Sequence, residues 1–494
     1  MFKKLFAVCL MTVTLLSFAS CGEEKKPHPT PNEKDTVQTG TPVASDETDV
    51  DNGEDVIGDI DYEDGLSTER YDGYEYRMLV RKGKTNSQYF EESQEDVIDD
   101  AIYRRNQEVA ERYGITISAS ESSSGDYEVD ALNSILAGDD AYDIIFAHSR
   151  AAFVYAIQGA ACNVLDIDSI HTDKPWWSKN ITDNCSLNDH LYVLDGDISI
   201  NGLSGAMCLL FNKRIFDEKG FDYPYELVKD GEWTFDELAY LVKKGSADLN
   251  GDGVLKPEDD QYGLTTFDWG YPIGVIYTGG QKIYGRDDEG NFALTLYSNK
   301  TVEIFDEFFR LMDNEAVYMS NGSTTLWFSN LFKEGRAMFS DGSLGEAKSL
   351  RDMDDDFGIL PYPKFDSDDE YATVINGYNP LIVIPITVSD TERTGAITEA
   401  LCAYGSKYVL PAFYDVSLKT KYSRDDESEE MMDTIRDSII YDVGYVAGGT
   451  FQSTGHDLAN STTHDFASFY AGREGSAKVG VKEFNESYGG IEQD

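Results

Sequence analysis

Basic residues are scarce in this chain. Its 494 residues carry 41 Lys and Arg against 91 Asp and Glu, a formal net charge of -50. That balance excludes nucleic acid as a partner, because nothing would neutralise the phosphates. It equally opposes binding to anionic lipid head groups and implies a soluble, self-repelling body. Cysteine is sparse too, with six in all and neither a CxxC pair nor a zinc spacing. Cys9 and Cys21 lie at the N-terminus; for Cys162, Cys185, Cys208 and Cys402 a disulfide and buried free thiols are both open. No GxSxG, HExxH or phosphate-binding glycine-rich loop occurs. With 91 carboxylates a pair for glycoside hydrolysis can always be imagined, so it carries no signal. The chain is read as a non-enzyme. Past its first residues it has no run long and apolar enough to span a bilayer.

What the N-terminus does have is an export signal. Lys3 and Lys4 precede the apolar run Leu5 to Phe18, and Ala19, Ser20 and Cys21 follow. The order is that of a bacterial lipobox, in which the cysteine is lipidated and becomes the mature N-terminus, although Phe18 stands where Leu is usual. Residues 1–20 are therefore read as a lipoprotein signal peptide with Cys21 as the lipidation site. Residues 21–71 are rich in Pro, Thr, Gly, Asp and Glu and poor in aromatics, which predicts a disordered acidic tether. The expected location is the outer face of a cell membrane, held through the lipid alone.

The folded body begins near Tyr74. Alternation predicts a strand over Tyr74 to Val80, and a helix follows over Asp96 to Tyr113 with Val97, Ile98, Ile102 and Val109 as its apolar stripe. A strand at Ile115 to Ser118, a helix at Tyr127 to Ala137 and a strand at Asp143 to Phe146 continue an α/β grammar with a largely parallel sheet. The alternation resumes with a strand at Cys208 to Phe211 and a helix at Lys213 to Lys219. A capping box at Thr234 to Glu237 opens a helix to Lys244. Further helices are expected at Thr301 to Met312 and Asp390 to Ala403, a buried strand at Leu381 to Pro385, and mostly helix after Tyr408. Two α/β lobes with crossings between them suit this order better than one large domain.

The sharpest local motif runs from Asp248 to Asp259. Oxygen-bearing side chains fall at loop positions one (Asp248), three (Asn250), five (Asp252) and twelve (Asp259). Gly253 sits where the loop turns, and Val254 offers its carbonyl at seven. This is the spacing of an EF-hand loop, with Asp259 in place of the usual Glu and Lys256 unable to act as a ligand, and it predicts a structural Ca²⁺.

Several segments, taken in order, resemble one family. They are Tyr142 to Arg150; Leu209 to Arg214 with Phe216 to Gly220; Gly231 to Leu238; Phe332 to Phe339; and Phe357 to Lys364. Together they are similar to the maltose-binding type of extracellular solute-binding protein family 1, in its longer lipoprotein form. The resemblance implies a two-lobed, type II periplasmic-binding fold with hinge crossings near Gly196, Gly377 and Pro411 and the solute in a cleft between lobes. Its lobes would be residues 72–195 plus 378–411 and residues 196–377 plus 412–494. It implies capture of a small-molecule solute, an oligosaccharide above all, for the permease subunits of an ABC importer, by a monomer. Other readings are a peptide or modified-sugar binder, an anchored polysaccharide hydrolase, and a sensing module.

Sugar recognition needs flat aromatic faces and polar side chains for hydroxyls. Trp269 and Tyr271 are candidates, Trp269 by its order along the family pattern. Ser149 and Arg150 match an Asp-Arg pair of that pattern, with Ser in place of Asp. Trp176, Trp177, Asp197, Asp341, Tyr378 and Asn379 complete the candidate contacts.

Overall fold

The computed structural model describes residues 60–81, 97–121, 127–324, 326–350, 352–375, 377, 379–419 and 427–490. The signal peptide, Cys21, most of the tether and Tyr378 lie outside the described residues. The chain divides into one unit of Met1–Ile60 and another of Asp61–Asp494, and the sheets and the candidate site all belong to the second.

Its first sheet contains β1 (Glu75–Val80), β2 (Thr116–Glu121), β3 (Ile144–His148) and β12 (Pro380–Val383), in the order β12-β3-β1-β2. β1 runs parallel to β2 and β3, and β12 is antiparallel to β3 with Pro380 opposite His148. Ile144 to Ala147 are all buried, as a strand covered on both faces requires. The helix Val97–Tyr113 packs on the helix Thr391–Tyr404. Its buried stripe is Ile98, Ile102, Arg105, Asn106, Val109 and Tyr113, whereas Val97, expected inside, is 52% exposed. The 3.6-residue period explains the difference: the face defined by Ile98, Ile102 and Val109 passes through position 105, and the arginine goes in with it. Arg105 donates to the carbonyl of Ile198, and burial pulls its guanidinium down to about 10.

The second sheet contains β4 (Met207–Asn212), β5 (Tyr262–Phe267), β8 (Val317–Ser320), β9 (Ala337–Ser343) and β10 (Phe357–Leu360), in the order β10-β4-β9-β5-β8. β5 is parallel to β8 and β9, while β4 is antiparallel to β9 and β10, so this sheet is mixed. The helix Phe235–Gly245 begins without the expected cap: Thr234 makes no side-chain cap bond. Instead Thr234 bridges Lys364, and Phe235 N donates to the Lys364 carbonyl at 2.8 Å.

Two passages of chain join the sheets, one between β3 and β4 and one between β10 and β12. Ala206 bridges Ile375. β11 (Thr373–Val374) forms a parallel ladder with β13 (Ile439–Ile440). Near the first passage, Glu399 on the helix Thr391–Tyr404 accepts both indole N–H groups of Trp176 and Trp177, at 2.9 and 2.7 Å. Cys162, Cys185, Cys208 and Cys402 are all free and buried. Among the described residues no helix is long and apolar enough to cross a membrane.

Replacing Glu399 by Ala strands two buried indole donors and is expected to cost about 2–4 kcal/mol. Urea unfolding should show a lower midpoint at unchanged slope, with a smaller loss for Glu399→Gln, which keeps one acceptor oxygen. An unchanged midpoint for the Ala variant would contradict this role.

Candidate functional site

The polar side chains of the first sheet gather where β3 and β12 meet. β3 ends at His148, and the helix Ser149–Ile157 starts without a connecting loop. The Nδ1 of His148 caps that helix by accepting from Arg150 N at 3.4 Å. Burial, with the charges of Arg150 and Arg81, pulls His148 down to about 4, so its imidazole stays neutral and keeps the cap. The Arg150 side chain reaches Gln452 and donates to its Oε1. It passes over Gly448, where an added Cβ would lie 2.8 Å from Arg150 Nε and where φ is +83°, so a side chain there is excluded twice. Asn379 precedes Pro380, which the β3–β12 register sets opposite His148, the residue before Ser149. Asn379 is 7% exposed, and neither its Oδ1 nor its Nδ2 has a hydrogen-bond partner. A buried amide left with both functions unused costs several kcal/mol unless something else binds it.

The second sheet contributes aromatics at the ends of β5 and beyond β8. Trp269 is 49% exposed and stacks on His456 with ring centroids 4.0 Å apart. Asp268 orients that pair: its Oδ2 accepts from Asn460 Nδ2 at 2.9 Å and lies 3.2 Å from His456 Nδ1. Trp327, 42% exposed, leans on Phe267 at 5.6 Å. Ser320, the last residue of β8, has a buried hydroxyl without a partner. Sequence reasoning missed Trp327, Gln452, His456 and Asn460. Trp327 was readable as one of only five tryptophans. Gln452, His456 and Asn460 follow a spacing of four residues, yet nothing in the sequence says which helix meets Trp269.

Tyr271 and Asp341 belong to the core. Tyr271 is fully buried and stacks on Tyr362 at 4.4 Å. Asp341 is fully buried as well; Oδ1 accepts from Tyr362 Oη at 2.6 Å, and Oδ2 from Thr266 Oγ1 at 2.7 Å and Tyr271 N at 2.8 Å. Burial raises it to about 6. The expected cleft acceptor is thus a core carboxylate whose oxygens are taken by its own chain. The strand-ending Asp-Gly pattern looked exposed because the sequence does not show the Tyr362 ring that closes over it.

A cavity of about 420 Å³ opens at the chain passages, lined among others by Trp176, Trp177, Asp195, Asp197, Arg436 and Tyr441. Trp176 and Trp177 reach it as walls, with their indole N–H groups already committed to Glu399. Asp197 lies 3.4 Å from Arg436, and burial holds its carboxyl above the usual range. Asp195 accepts from the Tyr441 hydroxyl, and burial lifts it to about 6. The expected contacts therefore fall into separate groups: Ser149, Arg150 and Asn379 together, Trp269 with His456, and Trp176, Trp177 and Asp197 around this cavity.

The 248–259 loop folds on its own side chains. Asp248 accepts from Gly251 N and Gly253 N, both at 2.7 Å, Asn250 from Asp252 N at 2.8 Å, and Asp252 from Val254 N at 2.9 Å. Lys256 Nζ stands 2.5 Å from Asp252 Oδ2. Asp259 is exposed, and the buried carboxylate that closes the loop is Asp260, which accepts from Leu249 N and Lys256 N at 2.8 Å each. Among the described residues no group of three or more His, Cys, Asp or Glu is placed to hold a metal ion.

No protein-family model matches the chain, and no curated protein matches it. Solved structures do. It is similar to UspC of M. tuberculosis at 14% identity and a TM-score of 0.55, covering 82% of this chain and 99% of that one. A maltose/maltodextrin-binding domain, MalE, from Bdellovibrio bacteriovorus bound to maltotriose matches at 13% identity and 0.52, covering 83% and 99%. A Thermotoga lettingae ABC transporter solute-binding protein bound with α-D-tagatose matches at 15% and 0.52, covering 83% and 100%. At these identities the likeness carries the fold: the chain has the two-lobed α/β fold of MalE-like ABC solute-binding proteins.

Asp195 gives a test of the passage cavity. Its folded value lies above the unfolded one, so its contribution is fully present below about pH 4 and is lost as pH rises through 6. Asp195→Asn should gain on wild type by roughly 2 kcal/mol between pH 4 and pH 7 in chemical unfolding. A pH-independent difference would count against a buried, protonating Asp195.

Proposed function

We propose that this chain is the lipid-anchored solute-binding component of an ABC importer and takes an oligosaccharide between its two sheets. The observation that carries the reading is the unpartnered amide of Asn379, next to the Pro380 that pairs with His148 at the start of the helix bearing Ser149 and Arg150. A donor and an acceptor held together match the hydroxyls of a sugar ring, and the half-exposed faces of Trp269 and Trp327 suit its C–H surfaces. The likenesses to proteins bound with maltotriose and tagatose agree with this class of ligand. Arg150 already touches Gln452, so a solute in contact with both sides would favour the closed arrangement by differential affinity. The lipobox at Cys21 and the acidic segment after it support an anchored body standing off the membrane.

A thermal-shift screen of the full-length protein against mono- and oligosaccharides and peptides tests this. At a hundred times Kd a ligand adds about 2.7 kcal/mol of stability, and Asn379→Ala should weaken the responding sugar at least tenfold. No response to any sugar overturns the carbohydrate reading, and turnover of the ligand overturns the non-enzyme reading. Cys21→Ser should release the protein from membranes; unchanged fractionation counts against lipidation.

Calcium in the 248–259 loop belongs to the same proposal, held through Asp248, Asn250, Asp252 and the Val254 carbonyl. The donor set is all oxygen, as a hard cation requires, and Lys256 must leave Asp252 for an ion to enter. EDTA should lower the melting temperature of the wild type and not of Asp252→Ala. A wild type indifferent to EDTA removes the ion from the proposal.

A further inference from the structure

The charge around Arg150 is out of character for this chain. Acidic residues outnumber basic ones by 91 to 41, and several arginines pair with carboxylates, among them Arg77 with Asp140 and Asp143, Arg214 with Asp355 and Glu218, and Arg336 with Glu334. Among the described residues Arg150 has no carboxylate partner. Its side chain donates to the neutral amide of Gln452, and its chain neighbours are a neutral imidazole and a hydroxyl, His148 and Ser149. Glu128 is the carboxylate facing this corner, and its Oε1 is 3.5 Å from His148 N. The helix that begins here is nine residues long and turns its positive end to the same place. Asn379, one residue before the Pro380 that pairs with His148, is more than nine-tenths buried with both amide atoms unused.

We infer that the solute is anionic, a carboxylate-bearing oligosaccharide of the uronate class, whose carboxylate is taken where Arg150, Asn379 and the first turn of Ser149–Ile157 meet; this rests on the proposed solute-binding function. The guanidinium offers the paired N–H geometry that a carboxylate accepts, and Gln452 yields or shares its place. Asn379 Nδ2 donates to the same carboxylate or to the ring oxygen next to it, and Oδ1 accepts from a hydroxyl of the same sugar. A simple anion would leave that acceptor unused. The chain's net charge does not forbid an anion here. Its field is screened over about 8 Å at physiological salt, so the local cation decides.

Isothermal titration of the full chain tests the inference with tri-uronates of galacturonate, glucuronate and mannuronate, their methyl esters, and the matching neutral trisaccharides, each at 50 and 300 mM salt. The expected result is one acid bound at least tenfold more tightly than its ester and its neutral counterpart, weakening severalfold at the higher salt. Arg150→Gln should erase the preference for the acid. Its melting temperature should stay near wild type, because Arg150 is exposed. Equal binding of acid and ester, or an acid preference that survives Arg150→Gln, overturns the anionic inference. Binding of neutral sugars alone overturns it too and leaves the solute-binding reading standing. Failure of every sugar, charged or neutral, overturns both.

Discussion

Everything in this molecule depends on how two passages of chain cross between two sheets with their backbone groups satisfied. A crossing strand leaves the ladder of one sheet before it joins the next, and an unpaired buried peptide group is expensive. The passages therefore pair with one another through the Ala206–Ile375 bridge, and the second pairs with β13 through the β11–β13 ladder. Side chains complete the set. Arg105, buried in the first sheet's helix layer, donates to the carbonyl of Ile198, and Asn180 Nδ2 donates to the carbonyl of Ile439. These contacts tie each lobe to the passages and set the ends of β3, β5 and β12 in a fixed relation to them.

That relation explains where polar groups are tolerated. Buried carboxylates are numerous, but each has a use. Glu399 holds two tryptophans, Asp442 accepts from Ile283 N, Tyr284 N and Gly444 N, and Asp341 knits Tyr362, Thr266 and Tyr271 together. Burial raises all three carboxyls, and the hydrogen bonds they accept oppose that rise. Asn379 differs from these in being buried and unspent. Of the buried side chains with unpartnered polar atoms among the described residues, Asn379 is the one with two, a donor and an acceptor, and that is the place where something outside the chain can complete the bonding.

Much of the architecture was legible because hydrophobic period and glycine stops report local geometry directly. The helix Lys213–Lys219 has the bounds expected of it, and the helix expected from Asp96 runs as Val97–Tyr113 to its stop at Gly114, where φ is +70°. The first sheet's strands fall where alternation and apolar runs put them. The readings that changed depend on partners distant in sequence. Thr234 forgoes its cap because Lys364, far along the chain, offers a bridge. Arg105 goes inside because a passage carbonyl awaits it. Asp341 leaves the candidate site because Tyr362 and Tyr271 close over it.

The sequence by itself determined the α/β grammar, the acid excess and the Asp-Asn-Asp loop, since each is written in neighbouring residues and needs only local chemistry to read. Only the tertiary structure decided that Pro380, next to Asn379, pairs with His148, that Arg150 meets Gln452, and that Trp269 rests on His456. These residues are separated by about two hundred positions or more, and strand register and lobe packing, which no local pattern encodes, bring them together.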